Sequence, residues 1–158
     1  MAYTHIEDGI LEGLDLWEAR LLDLPEERIR DFRNGQNRNI REILGHMVDS
    51  ASNNLHRIVH LQHRESPLEF PNYASQGNND RWIAIQNYRD EDWFDLVQLW
   101  KYAHLHLVHV IRNVEPSNVT RAWNSGPDHG LVTLNDMIVD FLRHFRLHLD
   151  EIRDLMNA

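Results

Sequence analysis

Apolar residues recur every three to four positions in four long stretches of the chain, the spacing that lines one face of an α-helix. In the first stretch Ile10, Leu14, Trp17 and Leu21 share a face. Thr4 with Glu7 three residues on reads as a capping box, and Pro25 stops the helix after about Leu24. The second runs from near Asn39 to about His63, ended by Ser66-Pro67, with Ile40, Leu44, Met47, Ala51, Leu55 and Ile58 as its buried stripe. The third, with Asp90 as its expected N-cap, reaches about Val114 before Pro116 and turns Leu96, Trp100, Ala103, Leu107 and Ile111 inward. The fourth opens at Thr133, with Asp136 three residues on, and runs to about Leu155; Leu134, Ile138, Phe141, Phe145, Leu149 and Ile152 define its core face.

No stretch sustains a period-two alternation, so strands are absent or short. Four amphipathic helices of roughly 20 residues predict an all-α fold, an antiparallel four-helix bundle. Two connections are long. Residues 64–90, between helices two and three, hold Phe70-Pro71-Asn72-Tyr73 and a short helix around 81–87; residues 115–132, between helices three and four, hold Trp123 and Ser125-Gly126-Pro127. Long loops carrying aromatics over a bundle end act as functional covers more often than as plain connectors. Tyr73, Trp82 and Trp123 are therefore the candidates to roof a pocket.

A chain of 158 residues is long enough to form one domain, 1–158, with a core of its own, so a metal is not needed merely to fold. With no cysteine there is no thiolate nucleophile, no thiolate metal site and no disulfide framework, which suits a reducing cytoplasm. Asp and Glu number 25 against 16 Lys and Arg, a formal net charge of −9 without a basic run, which argues against nucleic acid as a partner. Acids stand where a signal peptide would carry its apolar stretch, and no uncharged run approaches the roughly 20 apolar residues that cross a bilayer. A cytoplasmic protein without membrane contact is the expectation.

The 11 histidines are where the chemistry lies. His56, His60 and His63 fall opposite the buried stripe of the second helix, a solvated face despite their metal-like spacing. His46 lies at the edge of that stripe, in line with Ser50, Asn53 and Arg57 at i+4, i+7 and i+11. Alone, His46 reads more readily as hydrogen-bonded into an interhelical contact. The fourth helix shifts the balance, because His144 and His148 sit beside Phe141 on its core side. Residues four apart on a helix hold their side chains about 6 Å apart, close enough for two imidazoles to share an ion. Two core-edge histidines without a ligand would be costly to desolvate. Asp140, one turn earlier, is placed to be a fourth ligand or to orient an imidazole. Phe145 stands where the His-Glu-x-x-His of zinc proteases needs glutamate. None of the 11 histidines has a glutamate three residues before it, against a ferritin-like di-iron site. On the third helix His104 and His106 border the inward stripe from either edge and read as packing or subunit-contact residues.

These residues resemble the DinB superfamily, in its DinB/YfiT-like branch of metal-dependent hydrolases. The resemblance runs through residues 42–54 (Glu-Ile-Leu-Gly-His-Met-Val-Asp-Ser-Ala-Ser-Asn-Asn) with Arg57, then Phe70-Pro71-Asn72-Tyr73, Trp93, Trp100, His106 and His109-Val110-Ile111. It closes with Val132-Thr133-Leu134 and residues 140–148 (Asp-Phe-Leu-Arg-His-Phe-Arg-Leu-His). The resemblance implies a four-helix bundle, often dimeric, with a metal triad of one histidine on the second helix and a His-x-x-x-His pair on the last, places held by His46, His144 and His148. It implies nickel or zinc as the metal, and hydrolase or thiol-dependent S-transferase activity, the latter with a low-molecular-weight thiol. The polar segment after Tyr73 departs from the family's Tyr-Asp-Gln-Asp-x-Trp pattern, and no tryptophan precedes the second helix around residues 37–39.

Three neutral imidazoles leave a bound ion an open position, the arrangement of a catalytic site. The expected function is metal-dependent chemistry on a small molecule. Asn53 and Arg57 would orient or charge-pair the substrate, and Asp140 would support a ligand. A non-catalytic metal- or ligand-binding module needs the same triad, and so stays open as the alternative. A homodimer pairing through Leu99, Tyr102 and His106 completes the set of expectations.

Overall fold

A computed structural model describes residues 2–158, and its architecture follows the four apolar stripes. The long helices are α1 (Thr4–Leu22), α3 (Ile40–His63), α5 (Trp93–Arg112) and α6 (Leu134–Met156), with two short helices, α2 (Glu26–Asp31) and α4 (Asn78–Gln86), in the connections. α1 and α3 each pack against both α5 and α6, so α1 faces α3, and α5 faces α6, across the diagonals of a four-helix bundle. Consecutive long helices are thus not consistently neighbours. Ile10, Leu14, Trp17 and Leu21 of α1, Leu96, Trp100 and Leu107 of α5, and Ile138, Phe141, Phe145 and Ile152 of α6 are all buried in one core.

The helix starts show which local signals win. Asn39 caps α3: its side chain accepts from the Glu42 N–H at 2.9 Å while Glu42 accepts from the Asn39 N–H at 3.3 Å. Thr133 caps α6 as expected, accepting from the Asp136 N–H at 3.0 Å. The cap of α5 is Asp92, which accepts from the Asp95 N–H at 2.9 Å, not Asp90. Asp90 closes a 3₁₀ turn, Tyr88–Asp90, that precedes the helix. Thr4 is not the cap of α1 either; it is the first helical residue, behind Tyr3, and Glu7 pairs with Arg112 of α5 instead of closing a capping box.

The two long connections join in a small sheet: β1 (Leu68–Glu69) pairs parallel with β2 (Ala122–Asn124), which pairs antiparallel with β3 (Leu131–Thr133). Side-chain bonds reinforce it, Trp123 Nε1 donating to the Phe70 carbonyl at 2.8 Å and Asn72 Nδ2 to the Ser125 carbonyl at 3.0 Å. The sheet fastens one loop to the other as a single cover. α4 is held separately. Arg38 Nε and Nη2 bond Asp80 at 3.2 and 2.9 Å, and the Tyr88 ring lies on α3 at Gly45, where an added Cβ would collide with it. Tyr88 then donates to Asp49 at 2.6 Å. Among the described residues no helix is long and apolar enough to cross a membrane.

Candidate metal centre

His46 is carried by the buried side of α3 and His144 and His148 by successive turns of α6, and the packing of these two helices brings the three rings together. Ring centroids lie 4.6 Å apart for His46 and His148, 5.7 Å for His46 and His144, and 4.3 Å for His144 and His148, all edge to face. Each ring offers one nitrogen, and the three lie within 4.8 Å of one another. His46 and His148 are buried and His144 is partly buried.

Protonation states follow from the surroundings. Burial, with the positive charges of His148, Arg38 and His144 adding to it, pushes His46 down to about 2. Burial and His148 push His144 down to about 4. Both are neutral imidazoles at physiological pH, with a lone pair to give. His148 Nδ1 lies 2.9 Å from Glu151, whose carboxylate the contact holds below its ordinary range. A carboxylate accepts, so Nδ1 of His148 carries a proton, and its Nε2 faces His144 Nε2, 3.0 Å away. Two imidazole nitrogens in that contact need a cation or a proton between their lone pairs. Ligands at about 2.0–2.1 Å around one tetrahedral zinc stand roughly 3.4 Å apart. His46 Nδ1, buried and without a hydrogen-bond partner, is a further donor group with its bonding capacity unspent. The donor set fits one divalent ion.

A cavity of about 590 Å³ opens beside this cluster. His144, Ser50, Asn54, Arg57, Tyr73 and Trp123 line it, together with Asn72, Phe141, Asp140 and Arg143. Tyr73 bridges the two sides: its ring is 6.2 Å from that of His46 and 5.8 Å from the Arg57 guanidinium carbon. Burial pushes its phenol up to about 12, against a hydrogen bond to Ser50 and the charge of Arg57, so it remains a donor at neutral pH. Trp82 packs edge-on against the Tyr73 ring at 5.4 Å, and Trp123 underlies Arg57 at 3.7 Å.

Of the other residues expected at the site, Arg57 lines the cavity, whereas Asn53 donates to the Asp49 carbonyl at 2.9 Å and leaves the lining to Asn54. Asp140 is exposed, and Arg143 grips its carboxylate at 2.6 and 3.1 Å. The carboxylate on an imidazole is that of Glu151. It stands three residues after His148, on the same helix face, a spacing that could have found it. His104 is wholly inside the core, its Nδ1 donating to the Trp100 carbonyl at 2.6 Å among Trp100, Phe141 and Phe145. His56, His60 and His63 lie along the outer side of α3, the first two against Phe70.

A three-histidine cluster on a four-helix bundle, with His144 on the wall of a cavity, is an arrangement that could hold a metal ion, and sequence comparison gives the family. Residues 11–152 match the family model of the DinB superfamily, and the chain belongs to that superfamily. Among solved structures it is similar to YfiT from Bacillus subtilis, described as a probable metal-dependent hydrolase with an unusual four-helix bundle topology. That likeness has a TM-score of 0.76 at 15% sequence identity and covers 94% of this chain and 82% of the other, a likeness of fold. No protein of curated function matches the sequence.

Proposed function

We propose that the protein is a metal-dependent hydrolase acting on a small molecule, with one nickel or zinc ion held by His46, His144 and His148. The observation that carries this reading is the convergence of three imidazole nitrogens within 4.8 Å of one another, one of them on His144, which lines a 590 Å³ cavity. The description of YfiT as a probable metal-dependent hydrolase supports it. A divalent ion in such a site supplies Lewis acidity and makes a nucleophile available near neutral pH. The chain's own residues do the rest. Glu151 fixes the His148 ring so that Nε2 faces the cluster. Tyr73, protonated at neutral pH, donates a hydrogen bond to oxygen that gains negative charge as the bond breaks. Asn54 and Ser50 present polar groups to the substrate, Asn53 stays turned onto the Asp49 carbonyl, and Asp140 holds Arg143 at the cavity wall. The exposed Leu99, Tyr102 and His106 of α5 are the face through which two copies would pair, which light scattering would test.

The test is to load tag-free protein with nickel or zinc and assay ester, amide and phosphoester hydrolysis, with and without an added low-molecular-weight thiol. One bound equivalent, with hydrolysis that is abolished in His144→Ala, is the expected result. Activity retained in that variant would sink metal catalysis. Turnover that depends on the thiol would reassign the enzyme as an S-transferase. Full metal occupancy without any turnover would leave a binding module.

A further inference from the structure

The cavity has a second chemical feature, at the end away from the histidines. Arg57 is 5% exposed, yet its Nε and Nη2 have no hydrogen-bond acceptor, and among the described residues no carboxylate lies within ion-pair distance of it. Every buried guanidinium is expected to have its charge paired or its N–H groups accepted, because desolvation is otherwise uncompensated. The two other buried arginines have their charges paired, Arg38 with Asp80 and Arg41 with Glu26. Arg143 gives its Nε and Nη2 edge to Asp140, Arg38 the same edge to Asp80, and Arg30 the same edge to Asp31. In Arg57 that edge has no partner. The Trp123 face beneath it, 3.7 Å from the guanidinium carbon, compensates the charge in part and holds the fork in one plane, but accepts no N–H.

We propose that Arg57 is the recognition site for a carboxylate on the substrate, so that the enzyme acts on small compounds carrying a carboxylate within about 12 Å of the bond that is hydrolysed. The span follows from Tyr73, whose ring is 6.2 Å from the His46 ring and 5.8 Å from the Arg57 guanidinium carbon; the two ends of the site are no farther apart than about 12 Å. A carboxylate suits the site better than a phosphate. Arg57 offers one uncompensated charge, and the other cation of the lining, Arg143, is already balanced by Asp140. A dianion would leave a net negative charge enclosed. The neutral side chains that share the lining, Ser50, Asn54, Asn72 and Tyr73, add hydrogen bonds without adding charge. Asp136 and Asp140, the acids that also line the cavity, are exposed, where water screens them.

This inference rests on the metal-dependent reading for the far end of the substrate, and its test separates the two. The probe is suberic acid monohydroxamate, whose hydroxamate binds divalent metals, compared by calorimetry with two analogues that replace the carboxylate by a primary amide or by a phosphonate. On zinc-loaded protein the carboxylate should bind at least tenfold more tightly than the amide, and more tightly than the phosphonate. Arg57→Gln should remove the preference while still taking up one equivalent of zinc, measured by a separate titration of the metal alone. Equal binding of carboxylate and amide to the native protein would overturn the proposal, without need of any variant that might not fold. So would a preference that survives in Arg57→Gln, or a phosphonate that binds best. If the native protein takes up no zinc but suberate itself still binds more tightly than its diamide, in an Arg57-dependent manner, the carboxylate site stands and the metal-dependent reading falls.

Discussion

His46 and His60 stand on the same helix, about four turns apart, and each has two histidines for company. The first group converges and the second does not. His56, His60 and His63 are spaced so that one ion could touch all three. Yet their rings lie along the outer side of α3 at centroid distances of 6.1 and 5.8 Å, and His63 Nδ1 is spent on the Val59 carbonyl at 3.0 Å. His46 has no histidine partner on its own helix. It meets His144 and His148 because α6 packs against α3, and the three nitrogens then close to within 4.8 Å. Spacing along one helix sets only an opportunity. Burial, a second helix and a carboxylate behind one ring turn it into a donor set.

The sharpest way to break this contrast is to remove one histidine from the converging group. In the proposed function, His46→Ala leaves a two-ligand site. Since losing only the hydrogen bond behind a ligand typically costs 10–100-fold in metal affinity, losing the ligand itself should cost roughly 1,000-fold or more. Calorimetric titration with zinc reads this directly, and a variant that still binds within tenfold of the native protein would show that His46 is no ligand.

A second comparison is pH-dependent and needs no metal. His104 is buried like the triad but belongs to the core, and burial pushes it down to about 4, partly opposed by its bond to the Trp100 carbonyl. The unfolded chain, titrating near 6.5, therefore binds a proton that the folded chain refuses. Stability from this group is complete above about pH 6.5 and is lost progressively as pH falls toward 4, an effect of about 3 kcal/mol. His46 and His144 act in the same direction, so the His104 share is the difference between the native protein and His104→Leu. Denaturant unfolding from pH 7 to 4 in the presence of a chelator should show a shallower decline for the variant. Parallel curves would mean that the core tolerates a charged His104.

Smaller again is the effect of the carboxylate behind the ring. Glu151→Gln keeps the shape but turns an anionic acceptor into a neutral one, and zinc affinity should fall roughly 10–100-fold. Asp140→Asn should change it by less than threefold, because Arg143 and solvent already absorb that carboxylate. The pair also marks what was readable from the chain alone. Apolar periodicity reports which face of a helix is buried, and that was enough for the four long helices and for placing His46, His144 and His148 on core-facing sides. It does not report which of two nearby partners captures a carboxylate. Asp140 lies one turn before His144 and Glu151 nearly one turn after His148. Arg143, exposed and three residues on, wins the first, while the buried face of α6 keeps the second on its imidazole. Strands of two or three residues, such as β1 and β2, show no alternation to detect. The Asp92 cap is hidden because Asp90 and Asp92 are equally good caps, and only the 3₁₀ turn between Tyr88 and Asp90 decides between them. The bare edge of Arg57 required knowing that Trp123, far away in the chain, comes to lie beneath it.

The smallest expected effect is the most discriminating for the opening contrast. Replacing both His56 and His60 by glutamine removes two members of the outer group and leaves the triad untouched. Zinc affinity should change less than twofold, and stability should move by no more than about 0.5 kcal/mol, the ordinary range for substitutions outside a core. The contact at risk with the loop cover is the packing of both rings on Phe70, at 6.2 and 5.4 Å. Phe70 also accepts the Trp123 indole through its carbonyl, and Trp123 supports Arg57. A larger loss of stability would therefore show that the outer histidines serve as the hinge plate of the loop cover. A loss of one full equivalent of bound zinc would show instead that spacing on a single helix was sufficient after all.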